Sequence, residues 1–449
     1  MAYTPHTSED IQSMLRTIGA GSVEELLTDI PDKVRLNRPL RTGEPLSELQ
    51  IREEIKGLIG QNANTDDYPC FLGAGSYDHY IPALIGPLLF RSEFYTAYTP
   101  YQAELSQGML QAIYEFQTAI CELTGMEAAN ASMYDGASAL AEAVLMMVRI
   151  SKKKSEILLS STIHPLYQEV IRTYCHGIDL KFVVIPSENG VISAAGVKSL
   201  LTDQTAGILM QYPNFFGHLE ELKEIIPAAH EKGVKIAVSV DPIAMGLFKP
   251  PGALGADIVV GEGQAMGNAL SYGGPYVGFF ATRTEFIRQL PGRIVGVTHD
   301  AKGKKGYCLT LQTREQHIKR ERATSNICTN ESLNALAALF YMATLGKEGL
   351  AEVARQSAQK AHYLQKELSR LPGVSVPWSS PFFKEFALKF NKSPKEINEK
   401  LFKEKIIGGL DLGRYIPELQ NYLLFCVTEK RTKAEMDRLV SVISKIQSS

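Results

Sequence analysis

Polar residues gather where an open α/β sheet collects its ligands, just beyond the carboxyl ends of its strands. The turn Gly136-Ala137-Ser138 opens a helical pattern, and free backbone N–H groups together with the helix dipole favour a phosphate at such a place. His164 comes shortly after the apolar run Glu156–Ser160, and Asp241 directly follows Val234–Val240. An imidazole and a carboxylate thus fall on the same edge as the anion site. The next run, Asp257–Glu262, leads to Gly263-Gln264-Ala265, and no lysine occurs between Lys249 and Lys302. That edge therefore lacks the amine that covalent carbonyl chemistry requires.

Two further segments carry groups that can touch a ligand. Tyr95, Tyr98 and Tyr101 lie in a tyrosine-rich loop, and each offers an aromatic body with a polar tip able to line a pocket and hydrogen-bond a small molecule. Thr324, Ser325 and Asn326 follow the basic pair Lys319-Arg320, which combines hydroxyl, amide and cationic donors suited to a phosphate or carboxylate. His79 and Gln107 are weaker candidates, because isolated loop residues of these types more often satisfy backbone groups. Gly73-Ala74-Gly75-Ser76-Tyr77-Asp78 superficially resembles a dinucleotide fingerprint, but it follows no clear strand and Pro82 interrupts any long helix. Gly303-Lys304-Lys305-Gly306 reads as an exposed basic loop.

The elements that must position these residues alternate regularly. β-type runs at Glu156–Ser160, Lys181–Pro186, Ala206–Gln211, Val234–Val240 and Asp257–Glu262 are separated by helical stretches such as Leu219–Lys232, closed by Gly233. Strands spaced in this way with helices between them predict a mostly parallel wound sheet, an α/β domain over 66–325. Before it, Ser8–Leu15 and Ser47–Leu58 predict helices capped by serine, forming an arm over 1–65. Beyond it, helices at Glu331–Thr344, Gly349–Arg370, Ser393–Lys403 and Lys433–Ile446 mix with strands at Phe386–Phe390 and Tyr422–Thr428. They predict a smaller α+β domain over 326–449.

Composition narrows the function classes. The 449 residues include 45% hydrophobic and 21% charged residues, an ordinary globular balance. Lys+Arg 47 against Asp+Glu 49 gives a net charge of -2, so there is no bulk basic field for nucleic acid. No apolar stretch reaches the roughly 20 residues that cross a bilayer. The start, Met1 to His6, has no leader pattern, and a cytoplasmic chain is expected. Cys70, Cys121, Cys175, Cys308, Cys328 and Cys426 are scattered, without metal-ligand spacing. They are expected to be reduced, semi-buried thiols with no metal.

The order of phosphate-type turn, histidine and aspartate resembles that of fold-type-I pyridoxal-phosphate (PLP) enzymes, where such groups hold the phosphate, stack on the ring and pair with the pyridinium nitrogen. The aspartate keeps that nitrogen protonated and the ring an electron sink. The segments Gly73–Asp78, Phe94–Gly108 and Gln312–Thr329 resemble, more specifically, the signatures of the glycine decarboxylase P-protein family of the glycine cleavage system. That family occurs as one long chain of two homologous halves or as two separate subunits. A chain with only the first set of motifs resembles the separate N-terminal subunit.

The resemblance carries its own expectations. In the family's other half, a strand beginning Gly-Ala-Asp leads to a His-Lys pair whose lysine holds PLP. Here Gly255-Ala256-Asp257 leads to Gln264-Ala265, with Ala265 at the lysine position. The implied cofactor is therefore PLP held by subunit 2, with His164 and Asp241 as structural remnants and no PLP bound covalently by this chain. The implied reaction decarboxylates glycine, releases carbon dioxide and passes the aminomethyl group to the lipoyl arm of the H-protein, with the T- and L-proteins in the wider system. An α2β2 assembly is implied as well. Tyr95, Tyr98 and Tyr101 would line the glycine end of the partner's pocket, and Thr324, Ser325 and Asn326 would touch its cofactor across the interface. The alternatives are a non-catalytic scaffold that stabilises the partner and docks H-protein, or an independent PLP enzyme using Lys249 or Lys302.

Overall fold

A computed structural model describes residues 5–152, 154–327 and 329–448. Residues 1–4, part of the stretch Met1 to His6, and Cys328 lie outside the described residues. The chain falls into two compact units, Met1–Ala63 and Asn64–Ser449. The first holds the helices Ser8–Ile18 and Glu48–Ile59. Both begin with a reciprocal capping box, Ser47, the expected cap, with Gln50 and Thr7 with Asp10 in the first helix. The cap there lies one residue earlier than predicted, and a threonine hydroxyl accepts the orphan N–H as well as a serine does.

The second unit is built on a seven-stranded sheet. Its strands are β1 (Ala128–Ala129), β2 (Glu156–Ser160), β3 (Lys181–Ile185), β4 (Thr205–Tyr212), β5 (Lys235–Val240), β6 (Ile258–Glu262) and β7 (Gly278–Thr282), in the order β1-β7-β6-β5-β4-β2-β3. Strands β2 to β6 pair in parallel, whereas β7 joins antiparallel to β6. Burial on both faces explains why β2, β4, β5 and β6 read as continuous apolar runs. The predicted α/β architecture holds, with strand ends within a residue or two of expectation.

Parallel pairing places the carboxyl ends of β2, β4, β5 and β6 on one edge, and that edge carries His164, Pro213, Asp241 and Gln264. The helix Gly136–Ser151 covers one face, with Leu140, Val144 and Met147 fully buried. The opposite face packs against Phe116 and Ile120 of the helix Gln107–Thr124 and against Ala335, Leu336 and Ala338 of the helix Ser332–Leu368. Two helices were expected over this span, and two are found: Gly346, with φ of 60 and ψ of -172, breaks the helical path between them, and the second supplies Ala361, Leu364 and Leu368 to a separate core.

That second core lies under a four-stranded antiparallel sheet. Besides the hairpin of β8 (Ile294–His299) and β9 (Lys305–Thr310), the fold has β10 (Val374–Ser375), β11 (Glu385–Phe390), β12 (Leu410–Asp411) and β13 (Tyr422–Cys426), arranged β10-β11-β13-β12. Gly217 ties this sheet to the loop after β4. Its φ is +86, and a Cβ there would lie 1.9 Å from the Glu385 carbonyl oxygen, so only glycine allows the approach.

Candidate functional site

At the carboxyl edge of the large sheet, the loop 73–79 and the start of β11 close over a cavity of ≈ 30 Å³ lined by His164, Tyr167, Asp241, Glu262, Lys384 and Glu385 among others. The carboxylates, the imidazole and the lysine are already engaged by the chain itself. Glu262 takes the helix N-terminus: its Oε2 accepts from Gly136 N at 3.0 Å, and its Oε1 accepts from Gln264 N at 3.0 Å and Val277 N at 3.3 Å. Asp135 caps the same helix, accepting from Ser138 N at 2.7 Å. Two carboxyl groups thus hold the donors that a phosphate would need.

The imidazole and the aspartate are committed in the same way. His164 Nδ1 accepts from Leu166 N at 3.1 Å, so the ring proton sits on Nε2 and is donated to the Ala74 carbonyl at 3.0 Å. Burial lowers the pKa of this ring. It stacks on Tyr167, centroids 5.0 Å apart at 25°. Asp241 Oδ2 lies 2.6 Å from Lys384 Nζ, an ion pair with both side chains buried. The ammonium also sits 3.5 Å from the Tyr77 ring centroid and donates to His79 Nε2 at 2.9 Å. Lysine has only donors, so His79 must accept there and give its Nδ1 proton to Glu429, 2.6 Å away.

The remaining lining holds the loop in place. Glu385 accepts from Ala74 N at 2.6 Å and from the Tyr77 hydroxyl at 2.8 Å. Gln264 exchanges hydrogen bonds with the Tyr77 backbone at 2.8 and 3.1 Å. Ala265 is buried in the large core. These residues do not fit PLP: the space matches a water or two, the anion donors are taken, the aspartate is neutralised, and the lysine position is alanine. Lys249 and Lys302 are both exposed and away from the cavity. The lysine that reaches it is Lys384, which sequence reasoning passed over. Incubation with PLP, borohydride reduction and gel filtration is expected to leave no pyridoxal on the isolated chain; stoichiometric trapping would mean that the cavity opens.

Elsewhere the two singled-out segments meet. Tyr101 accepts from Arg293 Nη2 at 2.8 Å, and its ring lies 6.1 Å edge-on from His317. Tyr95 and Tyr98 are 56% and 77% exposed. Tyr95 touches Phe90, ring centroids 5.4 Å apart, and Tyr98 borders an open groove with Arg91, Phe94, Leu105 and Phe340. Ser325 turns inward to donate to Glu142 Oε1 at 2.8 Å, Thr324 N donates to the Arg314 carbonyl, and Asn326 is exposed. Gln107 bridges backbone groups of Ala103 and Tyr307. The basic stretch 303–306 is the turn and first part of β9, so it belongs to a hairpin rather than a free loop. Among the described residues no group of three or more His, Cys, Asp or Glu could hold a metal ion, and no helix is long and apolar enough to cross a membrane.

Known proteins resemble the chain along its whole length. A family model described as "Glycine cleavage system P-protein" matches residues 1–443. A "Probable glycine dehydrogenase (decarboxylating) subunit 1" of Desulfitobacterium hafniense is 53% identical over 100% of both chains. A crystal structure of glycine decarboxylase (P-protein) of the glycine cleavage system, in inhibitor-bound form, superposes with a TM-score of 0.92 at 42% identity, covering 99% of this chain and 100% of that one. A sphingosine-1-phosphate lyase of Burkholderia pseudomallei shares the fold alone, with a TM-score of 0.66 at 15% identity over 92% of each chain. The architecture is that of the fold-type-I PLP enzymes, and the chain belongs to the glycine cleavage system P-protein family.

Proposed function

We infer that the chain acts as the first subunit of a glycine dehydrogenase (decarboxylating), completing a pocket whose PLP is held by a second subunit. The observation that carries this reading is the filled cavity: in a chain of this fold whose own cofactor site is occupied by Glu262, Lys384 and Tyr167, it supports a contribution made at the partner's site instead. The bound cofactor supplies the electron sink for decarboxylation. This chain's part is to bind, orient and exclude water.

The exposed tyrosine segment suits that part. Tyr95, Tyr98 and Tyr101 would close the glycine end of the partner's pocket, and Thr324 and Asn326 would reach its cofactor, Ser325 holding their loop to Glu142. A narrow, dry channel between subunits favours the meeting of glycine with the lipoyl arm of H-protein, because positioning removes entropic cost and exclusion of water protects the reacting carbon. The subunits would assemble as α2β2, with the T- and L-proteins acting on the products.

The test is release of labelled carbon dioxide from carboxyl-labelled glycine with lipoylated carrier present. None is expected from the chain alone, and full activity after mixing with the second subunit. Tyr98→Phe is the informative variant, since an exposed hydroxyl contributes little to the fold. Turnover about tenfold lower with intact assembly, roughly the value of one hydrogen bond, supports pocket completion. Unchanged turnover would leave only the scaffold role.

A further inference from the structure

Arg293 was not singled out by the sequence, yet it joins the two segments that were. It follows Pro291-Gly292 and starts the approach to β8. Its side chain is 5% exposed, and its Nη2 donates to the Tyr101 hydroxyl at 2.8 Å while the guanidinium carbon lies 5.2 Å from the centroid of that ring. On its other side, Glu315 Oε2 lies 3.7 Å from Nε, and the Glu315 side chain is 7% exposed. The pair is charged and buried but incompletely bonded: Arg293 Nε and Glu315 Oε1 have no hydrogen-bond partner. His317 completes the cluster, with Nδ1 3.8 Å from Glu315 Oε2.

A buried ion pair seldom stabilises a fold more than apolar side chains of equal size would, so its presence calls for another explanation. The hydrogen bond from Arg293 supplies one. A phenol that accepts from a guanidinium has its oxygen fixed and its own O–H proton free to be given to something else. The planar fork also fixes the direction from which this bond is made, which a flexible ammonium would not. Tyr101 is thereby presented as an oriented donor on the exposed side of the cluster.

We propose that Arg293, held by Glu315, is a positioning residue that fixes the Tyr101 hydroxyl as a hydrogen-bond donor toward the carboxylate of the substrate in the assembled enzyme. The inference rests on the reading that this chain completes the partner's pocket. Because Arg293 acts through Tyr101, its effect falls on substrate binding and not on the assembly of the subunits. Arg293→Gln would free the ring and take away the bond that sets its direction. Arg293→Lys keeps a charge and a donor but loses the planar fork.

The experiment is a double-mutant cycle on the complex of this chain with the second subunit, reading kcat and KM for glycine alongside assembly by light scattering. Y101F and R293Q are each expected to raise KM about tenfold with kcat within a factor of two, R293K to fall between R293Q and the native enzyme, and R293Q to add less than twofold once Y101F is present. If R293Q fails to assemble, the same cycle is run with R293K, whose increment must likewise vanish in the Y101F background. Independent, multiplicative effects of the two substitutions would overturn the proposal, as would a native KM in R293Q or in Y101F. Failure of the underlying reading looks different: Y98F and Y101F would then both leave turnover and KM at native values.

Discussion

Replacing Lys384 by methionine is expected to remove about 3–5 kcal/mol of stability, the usual cost of leaving one member of a buried ion pair without its partner. Methionine fills much of the same volume, so the loss reports on charge and not on packing. Asp241 would be left without its cation beneath the loop 73–79, and His79 Nε2 would lose the donor 2.9 Å away. The cation also faces the Tyr77 ring at 3.5 Å, an attraction worth about 2 kcal/mol when desolvated. For a chain of this size the melting temperature should drop by about 3–5 °C. The control is K384M combined with Asp241→Asn. Removing both charges should recover the part of the loss due to the unpaired carboxylate, because a neutral pair of similar volume is often as stable as the ion pair it replaces, while the contact with Tyr77 stays lost. A double variant as unstable as the single one would show that Lys384 stabilises through Tyr77 and His79 and not through its charge pairing with Asp241.

This pair also illustrates what can and cannot be read along a chain. Strands β2, β4, β5 and β6 were legible because both faces are buried, so apolar residues follow one another without a break. His164, Asp241 and Ala265 were legible because they lie immediately beyond such runs. Lys384 sits in Phe382-Phe383-Lys384-Glu385, where nothing local marks it, and only the packing of β11 against the large sheet sets its ammonium on Asp241. The same holds for Arg293, which comes together with Tyr101 across 192 positions of sequence. The hairpin of β8 and β9 escaped notice because Gly296 and Gly306 interrupt its alternation and its outer residues are exposed. The break at Gly346 was legible as a gap between two helices, because helical apolar spacing runs up to it and starts again beyond it.

Glu262 gives the cavity a pH dependence whose sign follows from its surroundings. Burial, with the nearby Asp135 charge adding to it, pushes this carboxyl from 4.5 up to about 8, against the pull of three backbone N–H donors. Glu385 behaves alike: burial raises it to about 7, opposed by Ala74 N, Lys384 and Tyr77. A carboxyl raised in the folded state holds its proton where the unfolded chain has released it. Its contribution to stability is complete below pH 4.5 and is lost as pH rises through 7 to 8. For Glu262 the whole interval amounts to at most about 5 kcal/mol. Glu262→Gln cannot titrate, and its amide NH2 leaves one of the three backbone donors facing another donor, a cost of about 1–3 kcal/mol at every pH. The native chain should therefore lead E262Q most at pH 5, and the gap should narrow or reverse by pH 8.5. Urea denaturation of both chains across that range measures it. A gap that is constant, or that widens with pH, would mean that Glu262 is ionised in the folded state and anchors the helix N-terminus as an anion; the carboxylate would then replace a phosphate in charge as well as in position.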